Sequence, residues 1–242
     1  VTTSDSRTFD VRHLQLARAA FAAIAAAMIT FSTDHSAAVG SAVFSGFAIA
    51  TAFVHLLAVW LVYPVGRRWP SVALGAVTLV AGMASGLFPL RTATGFFVIV
   101  IAWALASGVI ELVAGWRGLS TRTERREIVP GVADARPIAP VGPRSESRDA
   151  VVVGALTILL GIGLLCVQPA YALTYRVEQA GLTGTLTGVI IGVGLFGGYA
   201  AIVAVYLGIA GFSPRAAAPA EMGAVTSDAP ARAPQADRKD SA

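Results

Sequence analysis

Six stretches of this chain run for 18 residues or more with almost no charge, at about 14–32, 37–63, 71–88, 92–116, 150–168 and 184–212. A helix rises 1.5 Å per residue, so about 20 apolar residues cross about 30 Å of hydrocarbon. Inside lipid every backbone N–H and C=O needs a partner from the protein, which leaves only helices or closed barrels. These runs are continuously apolar rather than alternating, and that selects helices. Composition agrees. The chain is 55% hydrophobic and 13% charged, with a mean hydropathy of +0.70, whereas about a quarter of the residues in a soluble domain are charged. The expected fold is therefore all-α, a polytopic membrane helix bundle with six transmembrane helices.

Two of the runs are copies of one helix. Residues 48–60 read A-I-A-T-A-F-V-H-L-L-A-V-W and residues 104–116 read A-L-A-S-G-V-I-E-L-V-A-G-W, aligned without a gap at an offset of 56. Each ends in Trp, and each carries one ionisable residue at the same place, His55 or Glu111. A weaker echo links G-A-V-T-L-V-A-G at 75–82 with G-A-L-T-I-L-L-G at 154–161, and A-V-Y at 204–206 with A-V-W at 58–60. Ala201 then takes the place of His55 and Glu111 in the last helix. Two spans per unit keep every unit in one orientation, so the six helices read as three parallel hairpin repeats. Inverted repeats would need an odd number of spans.

The organisation follows. Residues 1–13 form an N-terminal segment, 14–63 hairpin one, 71–116 hairpin two, 117–149 a disordered linker, 150–212 hairpin three and 213–242 a disordered tail. The linker carries Pro130, Pro137, Pro140 and Pro143 among small residues, too little apolar surface to fold alone. Lys and Arg set the orientation. Only Arg91 and Arg176 fall on one side; all the other basic residues fall on the other. Both termini are thus expected in the cytoplasm, and the protein in the inner (plasma) membrane. Trp60, Tyr63, Trp69 and Trp116 fall on the same cytoplasmic border, where amphipathic rings sit well. The first twelve residues carry Asp5, Arg7, Asp10 and Arg12 and no convincing cleavage site follows, so the first run reads as a retained helix, not a signal peptide. The Ala, Gly, Val and Arg usage fits a high-GC bacterium of actinobacterial-like composition.

The pI near 9.7 reads as membrane topology plus attraction to anionic headgroups. Arg67, Arg68, Arg117, Arg125 and Arg126 are the expected lipid-facing basic residues. No basic stripe interleaves with aromatics, so nucleic acid is not an expected partner. Cys166, the single cysteine, lies in an apolar run and reads as a small buried hydrophobe.

The stretch 71–118, with F-P-L-R-T and A-W-A-L-A-S-G-V-I-E-L-V-A-G-W-R, resembles the hairpin unit of the HdeD-like membrane proteins. The segment ending G-I-G-L-L-C-V-Q-P at 169 is similar to the start of the same unit. The resemblance implies three hairpins in the bacterial inner membrane and a link to acid resistance and stress response. It carries no catalytic or ligand-binding set. His55 departs from it, since the unit often has Glu or Gln there.

A charged residue inside a span costs about 2.5–3.5 kcal/mol at mid-membrane and tends to be paired or functional. His55 and Glu111 are the candidate charged intramembrane layer. Glu111 precedes Trp116 by five residues, about 7–8 Å of helix, so one reading makes it an interfacial carboxylate in reach of Arg117, Arg67 or Arg68. In the other, His55 and Glu111 meet across the bundle and titrate as a pair, since His changes charge nearest physiological pH. Thr51, Thr78, Ser107 and Thr157 are the other polar residues of the spans, read as bonding their own helices.

Small residues let helices approach closely in lipid. Gly82 and Gly86 form one G-x-x-x-G, and Gly184, Gly188 and Gly192 a longer one in the last helix. Ala200, Ala204 and Gly208 continue that pattern, and Ala38, Ala42, Gly46 and Ala50 make another stripe. They read as packing surfaces, with homo-oligomerisation through the last helix as the sharper alternative. No G-x-S-x-G, H-E-x-x-H, phosphate-binding loop or metal-ligand spacing occurs in the spans, so no catalytic residue, metal or cofactor is expected. The expected function is a non-enzymatic membrane protein of the HdeD-like, stress-linked kind. Two alternatives are a small transporter or proton-linked channel using His55 and Glu111, and an accessory subunit of a larger membrane complex whose partners the sequence does not identify.

Overall fold

The computed structural model describes residues 10–63, 66, 68–127, 144–177 and 182–213. Six helices among them are long and apolar enough to cross a membrane. They are α1 (Val11–Phe31), α2 (Ala37–Leu61), α3 (Trp69–Gly86), α4 (Ala93–Glu127), α5 (Arg144–Leu165) and α6 (Gly188–Phe212). Helix starts follow local chemistry. Asp10 caps α1 in a reciprocal box with His13, Ser36 caps α2, and Pro70 sits in the first turn of α3, where its missing N–H costs nothing. Arg68 donates from Nε to the Tyr63 carbonyl at 3.0 Å and ties off the turn between α2 and α3.

The helices do not pack chiefly within the expected hairpins. The most extensive contacts are α4 on α5, α1 on α6 and α2 on α3; hairpin neighbours α1–α2, α3–α4 and α5–α6 touch less. First and last helices therefore lie side by side. The core is aromatic and comes mostly from α2, α4 and α6. Phe44, Phe96 and Phe196 are fully buried. Phe44 meets Trp103 at 5.1 Å and Phe196 at 5.4 Å, both edge to face, the geometry ring quadrupoles favour.

Glycines make the tightest crossing. A Cβ on Gly154 would stand 2.8 Å from the Gly108 carbonyl oxygen and 2.7 Å from the Leu112 nitrogen. Only glycines there let the α4 and α5 backbones meet. These are not the glycines the sequence patterns single out. Gly82 and Gly86 do face α2, against Ile49 and Ser45, and Ser45 donates to the Gly82 carbonyl at 2.7 Å. Gly192 lies against the Phe97 ring. The Ala38, Ala42, Gly46 stripe instead points out of the bundle. Gly208 likewise has open space around it, while Ala200 is fully buried.

Gly184 is a correction: it lies in a strand and not in the last helix. The chain is not purely helical, because β1 (Ala172–Val177) pairs antiparallel with β2 (Leu182–Thr187). β2 (L-T-G-T-L-T) has Thr at every second position and β1 (A-L-T-Y-R-V) places Leu, Tyr and Val at every second position, a period of two that fits a strand. Gly184 sits opposite Tyr175, and a Cβ there would fall on the Tyr175 hydroxyl.

Helix also extends beyond the expected spans. α4 continues through the charged run to Glu127, and α5 begins at Arg144, inside the segment 117–149 read as linker. Residues 128–143 and the tail from 214 lie outside the described residues, as does Arg67. So do the side chains of Arg125 and Arg126. Cys166 is exposed at the end of α5, not buried.

Candidate functional site

Polar side chains from all six helices converge on one small cavity in the bundle. Arg18 comes from α1, Thr51 and His55 from α2, Thr78 from α3, Ser107 and Glu111 from α4, Thr157 from α5 and Tyr199 from α6. Its volume is about 20 Å³, room for about one water.

Two helices supply their lining in register. Phe47, Thr51 and His55 in α2 recur every fourth residue, and so do Trp103, Ser107 and Glu111 in α4. Each member of the first set lies 56 residues before its counterpart. A four-residue step keeps side chains on one helix face, so each helix presents an aromatic, a hydroxyl and an ionisable group to the same space.

The aromatic members meet. Phe47 lies 5.9 Å from Trp103, and Trp103 lies 6.1 Å from Tyr199. Trp103 donates from Nε1 to Thr78 Oγ1 at 3.1 Å, and the Tyr199 hydroxyl pairs with Thr157 Oγ1 at 2.9 Å. Ser107 and Thr157 each donate to a carbonyl four residues back in their own helix, Trp103 and Val153. Those two behave as the sequence reading holds. Thr78 instead accepts across helices, and Thr51 Oγ1 is buried without a partner.

Glu111 is only 4% exposed. Its partner is Arg18: Arg18 Nη2 donates to Glu111 Oε1 at 2.5 Å, the one ion pair among the described residues. Arg117 is exposed and stands 5.7 Å from the Trp69 ring centroid. His55 is equally buried and lines the same cavity, but its Nδ1 has no partner. His55 and Glu111 therefore share a site without bonding each other. Ala201 does not belong to it. That residue is exposed, and α6 reaches the cavity through Tyr199 and Val203.

Arg18 is the member sequence reasoning missed. It was counted with the cytoplasmic cations, although it stands inside the first apolar run with apolar neighbours on both sides. A cation so placed is itself a signal of a buried partner.

Above the pair opens a vestibule of about 370 Å³. Arg18, His55 and Glu111 line both spaces, so the charged layer divides vestibule from inner cavity. Exposed Trp69, Gly66 and Arg117 lie at the mouth. The wall carries Glu146 and Asp149 as well. Asp149 accepts from Gln15 at 2.6 Å and from the Tyr206 hydroxyl at 3.1 Å, which ties α1, α5 and α6 together. Among the described residues, no group of three or more His, Cys, Asp or Glu side chains can hold a metal ion.

The chain matches no known protein family, no curated protein and no solved structure. The site therefore rests on its own geometry.

Proposed function

We propose that this chain is a non-enzymatic, proton-linked carrier of a small polar solute in the bacterial inner membrane, with both termini in the cytoplasm. The observation behind this reading is the buried Arg18–Glu111 pair at the base of a vestibule, with the Phe47, Trp103 and Tyr199 rings on its far side. A structural ion pair needs neither an aqueous approach nor vacant hydrogen-bonding groups beside it. Here a space of about 370 Å³ leads to the pair, and His55 Nδ1 and Thr51 Oγ1 stand unpartnered beside it.

Chemically, the arrangement couples a proton to a ligand. The charged groups facing the cavity are Arg18 and Glu111, with His55 and Tyr199 titratable beside them; Arg117, Glu146 and Asp149 face the vestibule. A proton on Glu111 removes the charge that holds Arg18. The guanidinium can then turn its N–H fork to an acceptor oxygen of a solute. Loss of the proton restores the pair and expels the solute.

The test uses the purified chain in vesicles loaded with a pH-sensitive dye, with acetate and glycine as first probes. Solute-dependent proton movement is expected with the wild type, and its loss in Glu111→Gln and Arg18→Gln. A panel of small acids and amino acids that moves no protons with the wild type would reject the reading.

A second reading, the acid-linked stress role implied by the HdeD-like resemblance, draws on the same titratable groups. Acid survival of cells carrying His55→Ala, Glu111→Ala and the double variant tests it. Survival equal to wild type in all three removes it.

A further inference from the structure

We propose that the β1–β2 sheet is a bilayer anchor, its Leu173, Tyr175 and Leu186 face lying in the lipid interface beside the ends of α5 and α6. Register settles the faces. Leu173 pairs with Leu186 and Tyr175 with Gly184, while Thr174 pairs with Thr185 and Arg176 with Thr183. Directly paired residues share a side of an antiparallel sheet, and neighbours along a strand alternate. One face is thus apolar and the other carries threonines and Arg176.

Among the described residues, the apolar face is left about half open, and Leu186 on it is partly buried. Leu173 is 50% and Tyr175 51% exposed. What lies beside it follows from where the sheet is rooted. α5 ends at Leu165 and α6 begins at Gly188, both membrane-crossing helices, so the sheet leaves the bilayer surface within a few residues. Its base is clamped: the Gly188 N–H donates to the Tyr171 carbonyl at 2.8 Å, and the Tyr171 N–H to the Gln168 carbonyl at 3.0 Å. Gly188 permits the clamp, since a Cβ there would overlap the Gln168 carbonyl. The outer surfaces of α5 and α6 carry exposed apolar side chains as well, with Leu165 61% and Leu195 40% exposed. Tyrosines at such a border place the ring in the headgroup region and the hydroxyl in water. Arg176 on the opposite face meets water or phosphate.

The experiment uses the full chain with Cys166→Ser, which clears the only cysteine. Leu173→Cys, Thr174→Cys, Tyr175→Cys and Arg176→Cys are then made singly, and each is labelled with an environment-sensitive fluorophore in lipid vesicles. Quenching by a lipid-borne nitroxide is expected to be roughly twofold or more stronger at 173 and 175 than at 174 and 176, the depth alternation of an amphipathic element lying in an interface. Iodide in the water should give the reverse order. Equal iodide quenching at all four overturns the proposal, because the sheet then stands in water. Protection of 173 and 175 from both quenchers also overturns it, by showing that protein covers the face. The Thr174→Cys protein, which keeps Leu173 and Tyr175, gives the result even where a Leu173 or Tyr175 variant folds poorly: stronger lipid than water quenching there contradicts the assigned face.

Discussion

Arg18 on α1 reaches across 93 positions to bond Glu111 on α4 at 2.5 Å, with the two side chains 16% and 5% exposed. The asymmetry matters. Both line the vestibule, but Arg18 is the more exposed and retains more water when alone than Glu111 does. Breaking a buried pair costs about 3–5 kcal/mol because one charge is left without compensation, while removing both partners is often close to neutral. Arg18→Leu is therefore expected to destabilise by about 3–5 kcal/mol and Glu111→Leu by less. The double variant should recover most of the loss. Thermal unfolding of the four proteins in one detergent, read as a double-mutant cycle, checks this; additive losses would mean that the pair is not coupled.

His55 should separate stability from function. Its Nδ1 is buried without a partner, so the imidazole gains nothing there to offset its desolvation. His55→Leu, similar in volume, is expected to unfold within about 1.5 kcal/mol of wild type. The same variant should alter solute-dependent proton movement. A large stability loss with unchanged transport would assign His55 a packing role only.

The ring layer formed by Phe47, Trp103 and Tyr199 is expected to act as a barrier. Trp103→Ala removes two ring contacts with α2, one with Tyr199 and the bond to Thr78. A cost of about 3–5 kcal/mol is expected for emptying so large a side chain. Dye-loaded vesicles should also show a faster passive proton leak than wild type. Tyr199→Phe keeps the ring and loses only the hydroxyl bond, so it should cost about 0.5–1.5 kcal/mol without a leak.

Glycines in different surroundings should differ sharply. Gly154→Ala forces a Cβ against the α4 backbone and is expected to cost about 1–3 kcal/mol or more. Gly198→Ala meets open space and should be neutral or stabilising by up to about 1 kcal/mol through helix propensity. Melting temperatures measured side by side decide it.

What could be read from the residues alone divides along physical lines. The spans were legible because length and hydropathy act locally. His55 and Glu111 stood out because each interrupts an apolar helix, and the 56-residue offset paired Thr51 with Ser107 in the same cavity; Phe47 and Trp103, one residue before the repeat as read, were passed over. Arg18 stayed hidden among the cations that set orientation, since a charge near a helix end has two readings and only tertiary packing separates them. Ala201 was misplaced for a related reason. A sequence alignment in a helix fixes spacing but not rotation, and α6 presents Tyr199 and Val203 to the cavity instead. The G-x-x-x-G patterns failed at Gly184 because the sheet begins before the last helix, and they passed over Gly108 and Gly154, whose contact joins two helices rather than marking one.

The broad contact between α1 and α6 bears on how the protein is made. A ribosome delivers α1 before α6, so α1 waits for its main neighbour until the four helices between them have been made. Arg18 likewise enters the membrane well before Glu111 exists to meet it. Until then the nascent chain carries an unmatched cation, which the insertion machinery, the water at the membrane border or an anionic lipid must accommodate. A chain stopped before residue 188 would keep every span but one and still lack its closing wall.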